Sequence, residues 1–402
     1  MSQILAPRFD PLDPEVQQDP YPTYARLRES GALCRGGPAQ WVVTRYADVM
    51  ELVRDPRLGS EYDADYHRIA LGPGPLADFF GRIVLNRDPP GHTVLRRLIG
   101  QAFTPLAVRE RGATIAEIVE RALAPARDGA RLDGVADLAH VLPIRVLADF
   151  VGLEPGCLDE VRPRALALSR AFATFLPEAD RPAAHDAVSW LRTLVVDLFE
   201  RRRRAPRDDL VSRLVSSRVC GPGAPDFDDL VDNVVFLLFA GFATTTDLLA
   251  TGCAALLAHP GELVRLRADP ALVPSAVEEF LRYDAPVQVK SRLTREPVEV
   301  AGRTIRAGRI LVLLIGSANR DPARFPDPDR LDVGRDPNPH LSFGGGGIHH
   351  CVGAALARAE AVAVFGRLVR GFADVRPDGP AIRRPSPSFR GYASVPMLLT
   401  PA

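Results

Sequence analysis

The chain lacks a charge surplus of either sign, since 50 Lys+Arg balance 50 Asp+Glu over 402 residues. Nothing therefore marks it for nucleic acid or an anionic membrane, both of which call for a basic excess. Cysteine is scarce. Cys34, Cys157, Cys220, Cys253 and Cys351 are odd in number and scattered, and no paired C-x-x-C occurs, which argues against a disulfide framework. The segment Met1 to Pro14 has no apolar h-region, and no uninterrupted apolar stretch reaches transmembrane length. Internal repeats and Gly/Ser linkers are absent as well. An apolar content of 46% and a charged content of 25% are those of a soluble globular protein. The expectation is a cytoplasmic protein, monomeric, with residues 1–402 forming a single domain.

Periodicity predicts helices over Tyr21–Ser30, Ala47–Arg54, His92–Ala102, Ala107–Leu123, Ile144–Val151, Ala183–Arg203, Asp209–Val219, Phe227–Ala258, Pro260–Ala268 and Ala276–Tyr283. Short strands are expected at Trp41-Val42-Val43-Thr44, around Val298–Val300 and at Ile310–Leu314. The fold class is mainly α with a small β region. Arg201-Arg202-Arg203-Arg204 reads as a solvated, charged helix end that complements the helix dipole.

The most informative stretch is Phe343-Gly344-Gly345-Gly346-Gly347-Ile348-His349-His350-Cys351-Val352-Gly353, followed at once by a helix-forming run from Ala354 to Val364. A glycine loop lets backbone N–H groups turn toward a buried sulfur, and the helix N-terminus adds positive dipole, so both favour thiolate over thiol. Such a thiolate suits a haem iron, where it favours O–O cleavage. A buried structural cysteine is one alternative reading. A zinc site of His349, His350 and Cys351 is another, although adjacent residues do not readily face one tetrahedral metal.

This stretch resembles the cysteine-ligand loop of the cytochrome P-450 family, Phe-Gly-x-Gly-x-His-x-Cys-x-Gly. His349, Cys351 and Gly353 fall in place, while Phe343 lies one residue too far upstream because the loop carries an extra glycine. The predicted helix Phe227–Ala258 contains Ala240-Gly241-Phe242-Ala243-Thr244-Thr245, similar to the family's Ala-Gly-x-(Asp/Glu)-Thr-Thr. The alcohol is present at Thr244, but Ala243 replaces the acid, and alanine transfers no proton. Substrate or ordered water could take the acid's part, or Asp247 one turn further along. A peroxide- or nitric-oxide-dependent chemistry would need no such relay. Glu279 and Arg282, three apart on one helical face, can pair. Read alone they describe a surface salt bridge, whereas the resemblance makes them the family's Glu-x-x-Arg helix.

The resemblance extends from Asp19 to Pro396 and implies the P-450 fold, with haem b between the threonine helix and the cysteine loop. It assigns Cys351 to the iron and Thr244, with Asp247 as a candidate relay, to catalysis. His92, Arg96, Arg292 and His340 would hold the propionates, and Ala240, Gly241, Phe343, His349 and Gly353 would also contact the cofactor. Access and recognition segments would be Tyr62–Ile83, Leu168–Leu176, Phe236–Thr244, Val287–Lys290 and Ser388–Ala393. Within them Phe79, Phe80, Phe172, Phe175, Phe242 and Phe389 would give an apolar, partly aromatic pocket, with Val287 as a further substrate contact and Lys290 pairing either with a substrate carboxylate or with a haem propionate beside Arg292. The implied activity is monooxygenation of a small organic, secondary-metabolite substrate, free or carrier-bound, of the kind met in antibiotic biosynthesis. Electrons would come from a ferredoxin and its NAD(P)H reductase. A haem-based gas sensor is a further alternative, disfavoured because no effector domain is visible.

Overall fold

The computed structural model describes residues 8–401 except Pro38, Ala130, residues 173–175 and Arg218. Fifteen helices position the site: α1 (Tyr21–Ser30), α2 (Tyr46–Leu52), α3 (Ala64–Leu71), α4 (Pro75–Arg82), α5 (Gly91–Gly100), α6 (Pro105–Glu110), α7 (Gly112–Leu123), α8 (Leu142–Val151), α9 (Leu158–Ala171), α10 (Arg181–Arg204), α11 (Leu210–Ser216), α12 (Phe227–Ala258), α13 (Pro260–Ala268), α14 (Val273–Tyr283) and α15 (Ala354–Gly371). The strands are β1 (Leu33–Arg35), β2 (Gln40–Val43), β3 (Leu58–Gly59), β4 (Arg131–Asp133), β5 (Val289–Thr294), β6 (Val298–Val300), β7 (Arg303–Ile305), β8 (Ile310–Leu314), β9 (Phe372–Pro377), β10 (Ile382–Arg384), β11 (Gly391–Ser394) and β12 (Pro396–Pro401).

The centre of the molecule is α12. Its start is fixed by a capping box, in which Asp226 accepts from Asp229 N at 2.7 Å and Asp229 from Asp226 N at 3.2 Å. Its end is set by Pro260, which cannot continue a helix and bends the residue before it away from helical geometry. By length and composition α12 could cross a membrane, although Asp232, Asn233 and Asp247 interrupt its apolar run. Its apolar window is nevertheless 78% buried inside the protein, as a core helix is. Helices α8, α9, α10, α14 and α15 pack around it. Where α12 meets α15, Gly252 lets the Phe365 ring approach a space that a Cβ would fill.

The largest sheet has the order β1-β2-β8-β5-β3, with β2 and β8 parallel and the other pairs antiparallel. Its apolar side, with Val43, Leu311 and Leu313, forms a second core against Tyr46, Val49 and Leu52 of α2. Two expectations need correction. The predicted helix over 107–123 breaks at Arg111 into α6 and α7. The basic run at the end of α10 is not wholly solvated. Arg202 is buried, pairs with Asp209 and donates to Gly152 O at 2.6 Å.

Candidate active site

Three successive glycines before the cysteine have left-handed backbone, with φ of +92° at Gly344, +62° at Gly345 and +82° at Gly346. L side chains rarely adopt this conformation. Gly347 sits against the Val53 carbonyl just after α2, where a Cβ would not fit, and Arg54 Nε donates to Gly345 O at 2.8 Å. These turns absorb the extra residue. Cys351 N still donates to Phe343 O at 2.9 Å. The Arg358 guanidinium lies over the Phe343 ring, 4.5 Å from its centre.

Cys351 is exposed, yet its sulfur lies deep among protein atoms, so it faces an internal space. Burial pushes the thiol up, against the Gly353 N–H and the charges of Lys290, Arg96 and Arg358. The Gly353 N–H acts toward the thiolate, as expected of the loop, but does not outweigh burial. A stable thiolate here needs a cation at sulfur, and coordination to a metal deprotonates a thiol outright. No three His, Cys, Asp or Glu side chains converge among the described residues, so the zinc reading has no cage.

Basic groups gather beside this loop. The His92 and His349 rings lie 4.4 Å apart. His349 is pushed down to about 2 by burial and by Arg292, His92, Lys290 and Arg96. Burial also lowers Lys290 to about 7, with Arg292 adding to the effect, and lowers Arg96 and Arg292. Asp88 is the carboxylate that acts on His92 and Arg292, but it is already bonded to Arg295 Nη2 at 2.5 Å and Ser60 N at 2.8 Å. His349 Nε2 is buried without a hydrogen-bond partner. Buried cations without counter-charge are costly, so the cluster is built for an anion. The two carboxylates of a haem fit it, with Cys351 for the iron.

His340 does not serve this cluster as expected. Its Nε2 is 3.0 Å from Glu278 Oε2 and its Nδ1 accepts from Ser342 N at 3.3 Å, so both ring nitrogens are committed to the protein. Glu278 also takes Arg358 in a two-bond pair at 2.7 and 2.8 Å. These charge-assisted bonds outweigh burial and hold the Glu278 carboxyl down at about 2. Glu279 and Arg282 form no surface bridge. Both are 0% exposed and bonded at 2.7 and 2.8 Å.

Between Val231 and Leu256, α12 is buried all round except at Ala240, Gly241 and Thr244, which are half-buried. Ala240 and Thr244, one turn apart, therefore mark a face turned to an internal space. Thr244 Oγ1 donates to Ala240 O at 2.7 Å. Asp247 is 1% exposed, and both its oxygens accept from Arg384 Nη2 at 2.8 Å, with Gly391 packed against the carboxylate. Burial outweighs Arg384 and pushes the carboxyl up to about 7. Sequence reasoning missed Arg384, because nothing in a chain marks a partner 137 residues away.

An aromatic group packs against this part of α12. Phe172 lies 4.2 Å from Phe239, 4.5 Å from Phe80 and 5.8 Å from Phe236. Phe389 lies 6.2 Å from Phe239, and its backbone bridges to Val287. Two expected substrate contacts fall elsewhere. Phe242, about half a turn round the helix from Thr244, is fully buried against His140. Lys290 turns its Nζ to the cysteine loop, 3.4 Å from where a Gly344 Cβ would stand. Phe175 lies outside the described residues.

The family model described as Cytochrome P450 matches residues 156–387. The chain is 36% identical over 399 residues to the Vitamin D(3) 25-hydroxylase of Pseudonocardia autotrophica, covering 96% of this chain and 94% of that protein. It is likewise 36% identical to the 6-deoxyerythronolide B hydroxylase of Saccharopolyspora erythraea, over 87% of this chain and 88% of that one. The crystal structure of CalO2 superposes with a TM-score of 0.91 at 34% identity, covering 98% of this chain and 99% of that chain. With the cysteine loop, the basic cluster and the threonine helix arranged as described, the chain belongs to the cytochrome P450 family and is a monooxygenase of it.

Proposed function

We propose that the protein oxidises an uncharged small organic compound of secondary metabolism, using O2 and electrons from a ferredoxin and its NAD(P)H-dependent reductase. It would do so in the cytoplasm, with residues 1–402 acting as one domain around haem b. Cys351 would hold the iron, and His92, Arg96, Arg292, Lys290 and the His349 ring would face the propionates. The thiolate-ligated haem, when bound, supplies oxygen activation. The protein's part is to bind, orient and deliver protons. Thr244 Oγ1 donates to its own helix carbonyl, so its lone pairs face the internal space and can accept from a water there. Ala243 delivers no proton. Asp247, with its carboxyl near 7, can both hold and release one at neutral pH, and half-exposed Arg384 links it to solvent.

The observation that carries this reading is the cluster of basic side chains beside an inward-facing cysteine. Its test is Cys351→Ser. The carbon-monoxide complex of the native protein should show the far-red-shifted Soret band of thiolate ligation, and the serine variant should lose it. Retention of that band would assign the iron to another residue. The alanine at position 243 favours a second reading, turnover driven by peroxide or nitric oxide. Product formation with peroxide alone, at a rate at least matching that with ferredoxin, would support it.

A further inference from the structure

Phe172 caps the C-terminus of α9, and one ring stacks on it while a second lies tilted against it. The Phe239 ring is 4.2 Å away at an interplanar angle of 20°, and the Phe80 ring is 4.5 Å away at 36°. Phe80 and Phe239 make no ring contact with one another, so they flank Phe172 from different sides. Phe80 and Phe239 are buried, whereas Phe172 is half-buried. The middle ring is thus the one free to turn away, and turning it would leave a slot one aromatic ring thick.

The rings around Phe172 run from the threonine-bearing helix toward the surface. Phe236, 5.8 Å from Phe172, lies about one turn before Ala240 and about two before Thr244. In the other direction the His67 ring lies 5.9 Å from Phe80, and Tyr66 lies 5.6 Å from His67 and is 42% exposed. The charges nearest this path are already paired: beside His67, Arg82 is bonded to Asp226 and Arg87 to Asp229. Lys290, Arg292, Arg96 and His92 gather at the cysteine loop, and Asp247 is held by Arg384.

We propose that the active site selects a planar, uncharged aromatic substrate, which displaces the Phe172 ring and stacks between Phe80 and Phe239. This deepens the monooxygenase reading and rests on it. A flat π-system recovers both ring contacts that Phe172 gives up, the stacked one to Phe239 and the tilted one to Phe80. A saturated ring of equal size fills the volume without recovering them, and an anion meets no counter-charge in the slot.

The test titrates the haem-loaded protein with naphthalene, with cis-decalin and with 2-naphthoate, reading the shift from low to high spin. Naphthalene should bind about tenfold tighter than decalin, as two aromatic pairs would contribute, and tighter than naphthoate. Phe172→Ala removes the competing ring and should tighten naphthalene binding about 2- to 10-fold, whereas Phe239→Leu should weaken it by a similar factor. Equal binding of naphthalene and decalin, preference for naphthoate, or unchanged or weaker naphthalene binding in Phe172→Ala would each overturn the proposal. The Soret band of the carbon-monoxide complex is read on every sample. Its absence from the native protein would instead break the haem-thiolate reading, and its absence from a variant alone would show misfolding. In that case Phe172→Leu takes the place of the alanine variant.

Discussion

The Glu279 carboxylate accepts from Arg282 Nε and Nη2, Arg335 Nε, Asn338 Nδ2 and the Asp332 amide, all between 2.7 and 3.2 Å. Arg282 in turn donates to the carbonyls of Asn319, Pro328 and Arg330. One buried ion pair thus gathers the irregular chain between Asn319 and Asn338 that leads to the cysteine loop. Breaking a buried pair leaves an uncompensated charge, which costs about 3–5 kcal/mol. Glu279→Gln should therefore lower stability by that amount in urea melts and reduce the haem retained on purification. A loss below about 1 kcal/mol would mean the pair is not needed to hold this segment. The three-residue spacing made the pair legible in the sequence. Its burial was not, because the carbonyls and amides that surround it come from a stretch without periodicity. His340 was misassigned for the same reason, since nothing nearby in the chain marks Glu278 as its partner.

At the level of the element, α12 was readable end to end, because a capping box opens it and a proline closes it. Which of its residues face the internal space was less so, since Phe242 sits in the same motif as Ala240 and Thr244 yet points to His140. Asp247 carries the clearest prediction for this helix. Its carboxyl is raised in the folded state, so the stability linked to it is present below about pH 4 and is lost as pH rises through about 7. Asp247→Asn cannot titrate. Wild type should therefore gain stability over the variant as pH falls from 8 to 5, by at most about 1.4 kcal/mol per unit. Urea midpoints at the two pH values measure this, and a gap that does not change with pH would mean Asp247 stays ionised throughout. In ferredoxin-driven turnover the same variant should lose rate sharply if Asp247 relays protons, with peroxide-driven turnover affected less.

Across the whole molecule, the start of α12 is bound to α10 and to the segment that ends α4. Arg192 of α10 pairs with the buried Asp232 and with Asp228, the latter at 2.7 Å. Arg82, at the end of α4, reaches Asp226 at 3.1 Å, and Arg87 reaches Asp229 at 3.0 Å. Asn233 accepts from Val84 N at 2.7 Å and donates to Arg82 O at 3.1 Å. Arg192→Met should destabilise the protein, because Asp232 is then left without its main partner. Adding Asp232→Asn should recover much of the loss, giving a coupling of about 0.5–3 kcal/mol in a double-mutant cycle. Simple addition of the two losses would show that the elements are not joined through this pair. At this scale the sequence yielded the helical bulk of the fold and little of its sheets. Strands as short as β1, β4 and β10 carry too few residues for alternation to show, and their pairing is set by segments far away in the chain.

The glycine loop has a consequence for how such proteins are found. The hydrogen bond from Cys351 N to Phe343 O closes the bracket at 2.9 Å although one more residue lies inside it than the motif prescribes. The surplus is taken up as slack against Val53 and Arg54, away from the sulfur. Residue counting from phenylalanine to cysteine is therefore a poor ruler. A search that insists on fixed spacing would pass over this chain, and one that asks for the closing bond would keep it.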